Sequence, residues 1–274
     1  MNKVFEKFDF KKRLTSMLKL DLRRLFTSNF FYIILGSSLI IPILILIMTK
    51  MMEGSPINDQ YGNPVLDEFG NPILMEGFKN VWQMLGSVNG NNSSMKMDLV
   101  SMCNINMMYF GVGILISMFI SQEFRSGYVK NLFCMRSGKG DYVISKTIIG
   151  SIGGILIFIL FLVGSILGGL ISGISFEMVD FNISNIIMCF LSKLGLVLVF
   201  VSVFVLMSVV GKEKLWLSMI SGLGVSMLLF MMISIISPLN STIMNVLLSV
   251  IGGIIFSYFM GLISNLILKR TNLI

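Results

Sequence analysis

The chain has 274 residues, of which 55% are hydrophobic and 13% are charged, and its formal net charge is +7. A soluble domain carries about 25% charged residues, so this composition excludes a water-soluble globular protein and predicts a membrane protein. The sequence has no histidine and three cysteines without a C-x-x-C pair, so neither the usual general base nor a zinc site or disulfide framework is indicated. We expect no enzymatic activity, no cofactor and no nucleic-acid partner for this chain alone.

The first 29 residues are basic, and their apolar residues follow a helical period. The apolar positions recur three or four residues apart, at Leu14, Met17, Leu18, Leu22 and Leu25. This stripe predicts an amphipathic helix that lies in the headgroup region of a membrane. A solvated basic tail is the alternative interpretation.

Six apolar stretches are long enough to cross a bilayer, because about 20 helical residues span its roughly 30 Å hydrocarbon core. They lie at residues 30–49, 100–120, 147–171, 186–210, 215–236 and 243–268. The sequence thus predicts an all-α integral membrane protein, with a six-span domain over residues 30–268.

The Lys and Arg residues test this layout independently. Seventeen of the 21 lie in segments 1–29, 121–146, 211–214 and 269–274, whereas three lie in the outer loop at 50–99. Since cytoplasmic segments carry the excess of Lys and Arg, we predict that both termini, including the 269–274 tail, are cytoplasmic.

The predicted outer loop contains an eight-residue near-repeat over residues 59–74. The tripeptide Gly-Asn-Pro occurs at 62–64 and again at 70–72. Gly, Asn and Pro favour turns, and apolar or β-favouring residues flank the tripeptide, so a small hairpin or a stacked pair of turns is expected. A duplication in a tolerant loop and a recognition element for an external ligand both remain open.

The linker at 121–146 is a polar island between two apolar stretches. One apolar face is predicted at helical spacing, at Phe124, Tyr128, Leu132 and Met135. This pattern indicates a short amphipathic helix. We expect Ser137 to Gly140 to break it and Asp141 to cap the next helix.

Predicted span three is rich in glycine. Three pairs have small-xxx-small spacing: Gly150 with Gly154, Gly164 with Gly168, and Gly169 with Gly173. Such pairs let helices approach closely, either within the chain or at a subunit interface. Gly252 and Gly253 are candidates for the same role in span six.

Lys193 is the one charged residue within a predicted span. Snorkelling to the outer surface and lining a substrate path are the two interpretations. No Asp or Glu lies in a predicted span, which argues against a proton-coupled or sodium-coupled carrier.

The basic N-terminal segment, the six spans with both ends inside and the 121–146 linker resemble the permease subunit of an ABC-2 type ABC transporter. The linker in that family runs from a glutamate, through a glycine and an amphipathic helix, to a lysine that opens span three. The matching positions here are Glu123, Gly127, 128–136 and Lys146. Small bacterial permeases of this type include an antimicrobial-peptide immunity and export group.

The resemblance implies that the linker is a coupling helix that docks into a separate ATPase subunit. The residues reaching the ATPase would be Phe124, Tyr128, Leu132, Phe133 and Arg136, and Glu123 would brace the linker. ATP and Mg²⁺ are expected on that partner, because Gly138-Lys139-Gly140 and Gly211-Lys212-Glu213 lack the phosphate-binding loop pattern.

The further partners implied are membrane lipid and a second permease, either the same chain or a related one. The expected role is to provide the path for an amphipathic or hydrophobic substrate, such as a peptide, a lipid-like molecule or a drug, out of a bacterial cell. A secondary carrier and a membrane anchor or sensor that uses the 50–99 loop are the alternatives.

Overall fold

The computed structural model describes residues 10–58, 61, 63–66, 69–75, 77–86, 103–135, 139–178 and 181–270. These residues are helical apart from connecting turns and one small bridged element after the second helix. The α-helices are α1 (Phe10–Phe26), α2 (Asn29–Met52), α3 (Met108–Arg125), α4 (Tyr128–Met135), α5 (Lys139–Ser172), α6 (Ile183–Gly211), α7 (Leu215–Ile236) and α8 (Ile243–Arg270). Single 3₁₀ turns lie at Val81–Met84 and Ile105–Met107.

Five helical segments of the described chain are long and apolar enough to cross a membrane. They are Asn29–Met52, Ile105–Arg125, Lys139–Ser172, Ile183–Gly211 and Ile243–Arg270. The predicted fifth span forms the 22-residue helix α7, Leu215–Ile236, which is not counted among these five. The helices fit a multi-pass membrane protein, while the count of six spans stays a prediction.

Helix α1 forms where the apolar stripe predicts it, and the stripe faces protein. Met17 and Leu25 are buried, and Leu18 and Leu22 pack against the same core. The main contact of α1 is with α5. An acidic residue, Asp21, lies on this buried face between Met17 and Leu25. The position of α1 relative to a membrane stays a prediction.

Helix α5 is the central element, because it packs against α1, α2, α3, α6 and α8. Two of its glycines lie against the backbone of α2. A Cβ atom on Gly164 would lie 2.3 Å from the Leu39 carbonyl oxygen, and one on Gly168 would lie 2.9 Å from the Cα of Ile43. A side chain at either position would push the two helices apart.

A second predicted packing pair of α5 faces α3 and α6. A Cβ on Gly150 would lie 3.0 Å from both Ile116 Cδ1 and Val201 Cγ1. A Cβ on Gly154 would lie 2.6 Å from Val197 Cγ1. Gly150, Gly154, Gly164 and Gly168 therefore all lie against helices of the same chain.

Two further predicted packing glycines, Gly173 and Gly252, make no close contact within the described part of the chain. Gly173 has a φ of +68° at the end of α5, and a Cβ there would meet nothing within 4 Å. Gly173 follows the last residue of α5 and ends the helix, because glycine adopts positive φ without steric cost. Gly252 likewise faces open space, whereas a Cβ on its neighbour Gly253 would lie 2.8 Å from the Gly195 carbonyl oxygen.

The 121–146 linker differs from the prediction at its second half. Helix α5 begins at Lys139, so the predicted break does not include Lys139 or Gly140. Asp141 consequently lies inside the first turn of α5 and does not cap it. Its carboxylate is 3.2 Å from the Arg13 guanidinium of α1, a pairing between distant segments that local sequence does not reveal.

The small element after α2 contains three copies of the eight-residue unit. The first copy, Gly54-Ser55-Pro56-Ile57, precedes the two that the sequence pattern reveals. Gly54 and Gly70 hold equivalent places and have φ values of +80° and +81°. We call residues 53–76 the three-copy element.

The three copies close a ring of backbone hydrogen bonds. The N–H of Val65 donates to the carbonyl of Ile57, that of Ile73 to Val65, and that of Ile57 to Ile73, each at 2.8 Å. The sequence predicts a small hairpin or a stacked pair of turns here, whereas the described residues form a pseudo-three-fold arrangement. Its first copy joins α2 directly.

Candidate functional site

A buried cluster of charges lies where α1, α3 and α5 meet. Asp21 of α1 and Glu123 of α3 are fully buried, and Lys146 of α5 is 2% exposed. The Lys146 ammonium lies 2.8 Å from Asp21 Oδ1 and 2.6 Å from Glu123 Oε1. We call these residues and Arg24, which pairs with Glu123, the buried charge cluster.

The cluster is electrically balanced, with two carboxylates and two cations. Hydroxyl groups contact the remaining carboxylate oxygens. Tyr142 donates to Glu123 Oε2 at 2.8 Å, and Ser145 donates to Asp21 Oδ2 at 2.6 Å. Buried ions are tolerated when they are paired and their lone pairs are satisfied. The arrangement therefore joins three helices by charge-assisted contacts.

Aromatic rings surround the two cations of the cluster. The Lys146 ammonium is 4.7 Å from the ring centre of Phe119. The Arg24 guanidinium is 4.5 Å from the ring centre of Tyr128, the first residue of α4. Cation–π contacts add attraction where water is excluded. Through Tyr128, the cluster also holds α4.

Burial and the charges of this cluster both shift the pKa of Tyr128. Burial raises the pKa of its phenol above the usual value of 10.0, and the Asp21 and Glu123 carboxylates raise it further. The Arg24 guanidinium acts in the opposite direction. The neutral phenol is therefore favoured in the folded protein.

The turn between α3 and α4 places Glu123 and Tyr128 in the same cluster. Gly127 has a φ of +72°, a conformation that glycine adopts readily and that ends a helix. The N–H of Ser126 donates to the Gln122 carbonyl at 2.9 Å and closes the last turn of α3. Gly127 thus has a local structural reason to be glycine.

The predicted coupling residues face different directions. Phe124 is buried, so its side chain faces the protein core, and its contact with an ATPase stays a prediction. Tyr128, Leu132 and Phe133 are half-buried, and the latter two pack against the protein core. Arg136 lies outside the described residues.

The side of the linker that is open to a partner is polar. Arg125, Lys130 and Asn131 are exposed, while Val129 is buried. The apolar face of α4 serves intrachain packing because Tyr142 stands beneath it, with its ring centre 5.6 Å from that of Phe133. The helix is amphipathic as predicted, but its apolar side faces inward.

Sequence reasoning missed the roles of Asp21, Arg24, Tyr142 and Ser145, although Lys146 was noted for its place in the linker. One signal was available for Asp21, which lies four residues from both Met17 and Leu25 on an otherwise apolar stripe. An acid on an apolar face needs a buried cation. The sequence does not identify this cation, because the pairing is formed by tertiary contacts.

Lys193 of α6 lies at a second buried polar site. Its ammonium donates to Asn106 Oδ1 at 2.7 Å and to Ser237 Oγ at 3.2 Å. The side chain is fully buried, so the prediction that it snorkels to the surface is wrong. Within the described part of the chain, no carboxylate forms an ion pair with it. Lys193 joins the start of α3 and the end of α7 to α6.

No protein-family model matches this sequence, and no curated protein or solved structure gives a significant match. The resemblance to ABC-2 permeases therefore stays a prediction from the sequence.

Proposed function

We propose that this chain is the membrane-spanning subunit of an ATP-driven exporter of the ABC-2 permease type. The observation that carries the proposal is the attachment of α4 to the buried charge cluster. A short helix between two spans is useful as a coupling element only if it is held rigidly. The contacts of Arg24 with Tyr128 and Glu123 hold α4 to α1 and α3.

A displacement of α4 would be transmitted directly to the long helices. Lys146 belongs to α5, which packs against five other helices. Rigid-body movement of a docked ATPase would therefore reach most of the bundle through one cluster. The substrate is an amphipathic or hydrophobic molecule such as a peptide, a lipid-like compound or a drug.

The proposed complex contains two permeases, of the same or related chains, and ATPase subunits that bind ATP and Mg²⁺. Its location is a bacterial cell membrane, with both termini in the cytoplasm. The structure changes which residues we propose as the contact with the ATPase. Arg125, Lys130 and Asn131 form the exposed side of the linker, and Leu132 and Phe133 support it from within.

The test is purification of the tagged chain in mild detergent from its own organism, followed by mass spectrometry of the proteins that accompany it. We expect a small ATPase to be recovered with the wild type. Lys130→Glu reverses the charge on the exposed side of α4 and should reduce ATPase recovery about tenfold.

Lys214→Glu is the matched control, because Lys214 is an exposed lysine of another predicted cytoplasmic segment. It should retain the ATPase. An intact wild-type preparation that brings down no ATPase would contradict the exporter function. Equal recovery with Lys130→Glu and wild type would contradict only the assignment of the contact.

A membrane sensor without transport activity is the second candidate. The three-copy element favours it, since Tyr61 and Phe69 are highly exposed on the predicted outer side. Ligand binding without any associated ATPase would support this candidate over the exporter.

A further inference from the structure

An open cleft of about 320 Å³ lies between the start of α5 and the second half of α8. We call it the α5–α8 cleft. The apolar part of its lining is formed by Val143, Ile144, Ile148, Leu198, Ile254 and Leu262. Ile144, Ile148 and Leu262 are also exposed, so the cleft is open along the side of the helices. A ligand can therefore enter it from the surrounding bilayer.

The length of the α5–α8 cleft matches one leaflet of a membrane. Its lining residues on α8 run from Ile254 to Asn265. At 1.5 Å per helical residue this distance is about 16 Å, which is half of the roughly 30 Å hydrocarbon core. A long, narrow and apolar cleft of this depth fits a hydrocarbon chain that lies along the helices.

Basic side chains gather at one end of the α5–α8 cleft. Tyr258, Leu262 and Asn265 line the cleft, and Lys269 follows Asn265 by four residues, on the same face of α8. The Lys139 ammonium of α5 donates to the carbonyl of Leu268 at 2.8 Å, so the start of α5 meets the end of α8 here. This end of α8 is the one predicted to be cytoplasmic.

The cations at this end have no acidic partner. Among the described residues, no carboxylate forms an ion pair with Lys139, Lys269 or Arg270. The acidic residue beside Lys139 in sequence is Asp141, and its carboxylate pairs with Arg13 at 3.2 Å. Lys269 and Arg270 are exposed. Their charges are therefore available to an anion from outside the chain.

A polar group lies between the apolar cleft and its basic end. The amide oxygen of Asn265 is buried and accepts no hydrogen bond from the described residues. A buried acceptor without a donor costs free energy. A hydroxyl group of a bound headgroup can provide the missing donor.

We propose that the α5–α8 cleft binds an anionic phospholipid. One acyl chain lies between α5 and α8, and the phosphate binds Lys269 and Arg270, whose side chains are suited to phosphate. Basic sites between membrane helices bind acidic headgroups on the cytoplasmic side, where the leaflet is anionic. The lipid is a resident ligand that holds α8 against the central helix α5, and its binding requires no ATPase.

A second cleft of the same size provides an internal comparison. It has a volume of about 310 Å³, lies between α6, α7 and α8, and is lined by residues such as Phe200, Met232 and Gly252. Along α7 and α8, no Lys or Arg lies within seven residues of its lining. Lys193, the nearest along α6, is buried and donates to Asn106. This cleft is apolar without a basic end, so we expect no preference for an acidic headgroup there.

The experiment uses the full chain in detergent after its own lipids are removed. Dioleoyl phosphatidylglycerol, dioleoyl phosphatidylcholine and glycerol 3-phosphate are added separately. Native mass spectrometry counts the bound molecules, and the melting temperature reports stabilisation by binding. We expect one phosphatidylglycerol per chain at low lipid concentration, with a higher melting temperature. Phosphatidylcholine has the chains without the net charge, and glycerol 3-phosphate has the phosphate without the chains, so both should bind much more weakly.

The first variant removes the charge at the end of the cleft. Each Lys or Arg near an anionic surface adds about fivefold in affinity, so Lys269→Gln with Arg270→Gln should weaken phosphatidylglycerol binding at least about tenfold. The matched control is Lys212→Gln with Lys214→Gln, two exposed lysines of another predicted cytoplasmic segment. The control should bind phosphatidylglycerol as wild type does.

The second variant fills the cleft. A Cβ on Gly261 would lie 3.9 Å from Val143 Cγ1, so Gly261→Leu fits the helix and places its side chain where the acyl chain would lie. It should also weaken binding at least about tenfold. Gly252→Leu makes the same change in the second cleft, where a Cβ meets nothing within 4 Å, and should leave phosphatidylglycerol binding unchanged.

The proposal is overturned if phosphatidylcholine binds as tightly as phosphatidylglycerol, or if glycerol 3-phosphate alone gives the full effect. It is also overturned if the Lys269 and Arg270 variant binds as wild type does. The lipid-free melting temperature and the elution volume show whether each variant is folded. If Gly261→Leu does not fold, the exposed Lys269 and Arg270 pair decides the question. Failure to recover an ATPase from cells contradicts the exporter and leaves this binding result unaffected.

Discussion

At the residue scale, Lys146 is the cation on which both buried carboxylates depend. Among the described residues, Lys146→Met would leave Asp21 without an ion-pair partner and Glu123 with Arg24 alone. Removing one partner of a buried ion pair costs about 3–5 kcal/mol of folding free energy. We expect a clear drop in the melting temperature of the detergent-solubilised protein.

Two further variants make the Lys146 measurement specific. Lys12→Met removes an exposed lysine of α1 and should leave the melting temperature unchanged. Adding Asp21→Asn to Lys146→Met removes the uncompensated carboxylate and should recover part of the loss. A Lys146→Met protein as stable as wild type would show that the charge cluster does not stabilise the fold.

Tyr128 makes the same cluster sensitive to alkaline pH. Its folded pKa lies above its unfolded value, because burial and two carboxylates oppose the phenolate. The stability that it contributes is complete below the unfolded pKa and is lost as the pH rises through the folded pKa. Wild type should therefore lose stability at strongly alkaline pH more steeply than Tyr128→Phe does.

Melting temperatures of both proteins, measured from neutral to strongly alkaline pH, check this expectation. The two curves should be parallel near neutral pH, where the phenol is neutral in both the folded and the unfolded states. Curves that stay parallel across the alkaline range would mean that Tyr128 does not couple to the carboxylates.

At the element scale, the contact of α2 with α5 depends on the absence of a side chain at Gly164. A Cβ there would lie 2.3 Å from the Leu39 carbonyl oxygen and 2.7 Å from the ring of Pro42. Since backbone atoms yield little, Gly164→Ala should destabilise the protein by about 1–3 kcal/mol.

Gly36 of α2 is the matched control, because a Cβ there would meet nothing within 4 Å. Gly36→Ala should be neutral or stabilising by up to about 1 kcal/mol, since alanine favours helix more than glycine does. The measurement is the melting temperature of each variant. If both substitutions have the same effect, close packing at Gly164 is not what makes glycine necessary.

The helices show what sequence can and cannot predict here. Hydropathy found α7 with its bounds correct and placed the end of α5 within one residue, because long apolar runs have few alternatives. Hydropathy begins this span at residue 147, and the predicted cap at Asp141 begins its helix after that residue, whereas α5 begins at Lys139. The first turns of α5 include Tyr142 and Lys146. The polar groups of these two side chains bond to residues of α3 and α1, so this polar part of the helix can be buried inside the protein.

The same limit applies to the buried polar residues and to the three-copy element. The sequence shows Lys193 as a charge within an apolar span, but its partners Asn106 and Ser237 are 87 and 44 residues away in the chain. The first copy of the repeat escaped notice because Glu53 replaces the aromatic residue. Only the hydrogen-bond ring makes the three copies equivalent.

At the scale of the whole molecule, the distribution of charge predicts the orientation in the membrane. Seventeen Lys and Arg residues lie in the segments predicted to be cytoplasmic, against three in the 50–99 loop. Because Lys and Arg resist translocation, Phe69 and Asn131 should lie on opposite sides of the bilayer. Both are exposed, so cysteine introduced at either position is accessible to a reagent.

Single-cysteine reporters test this orientation after the three native cysteines are replaced by serine. A membrane-impermeant maleimide added to intact cells should label Phe69→Cys, whereas Asn131→Cys should react only after the membrane is permeabilised. Labelling of both after permeabilisation is the control for accessibility. The reverse pattern would place the three-copy element inside the cell and α4 outside. An ATPase could then not reach α4, and the exporter function would lose its physical basis.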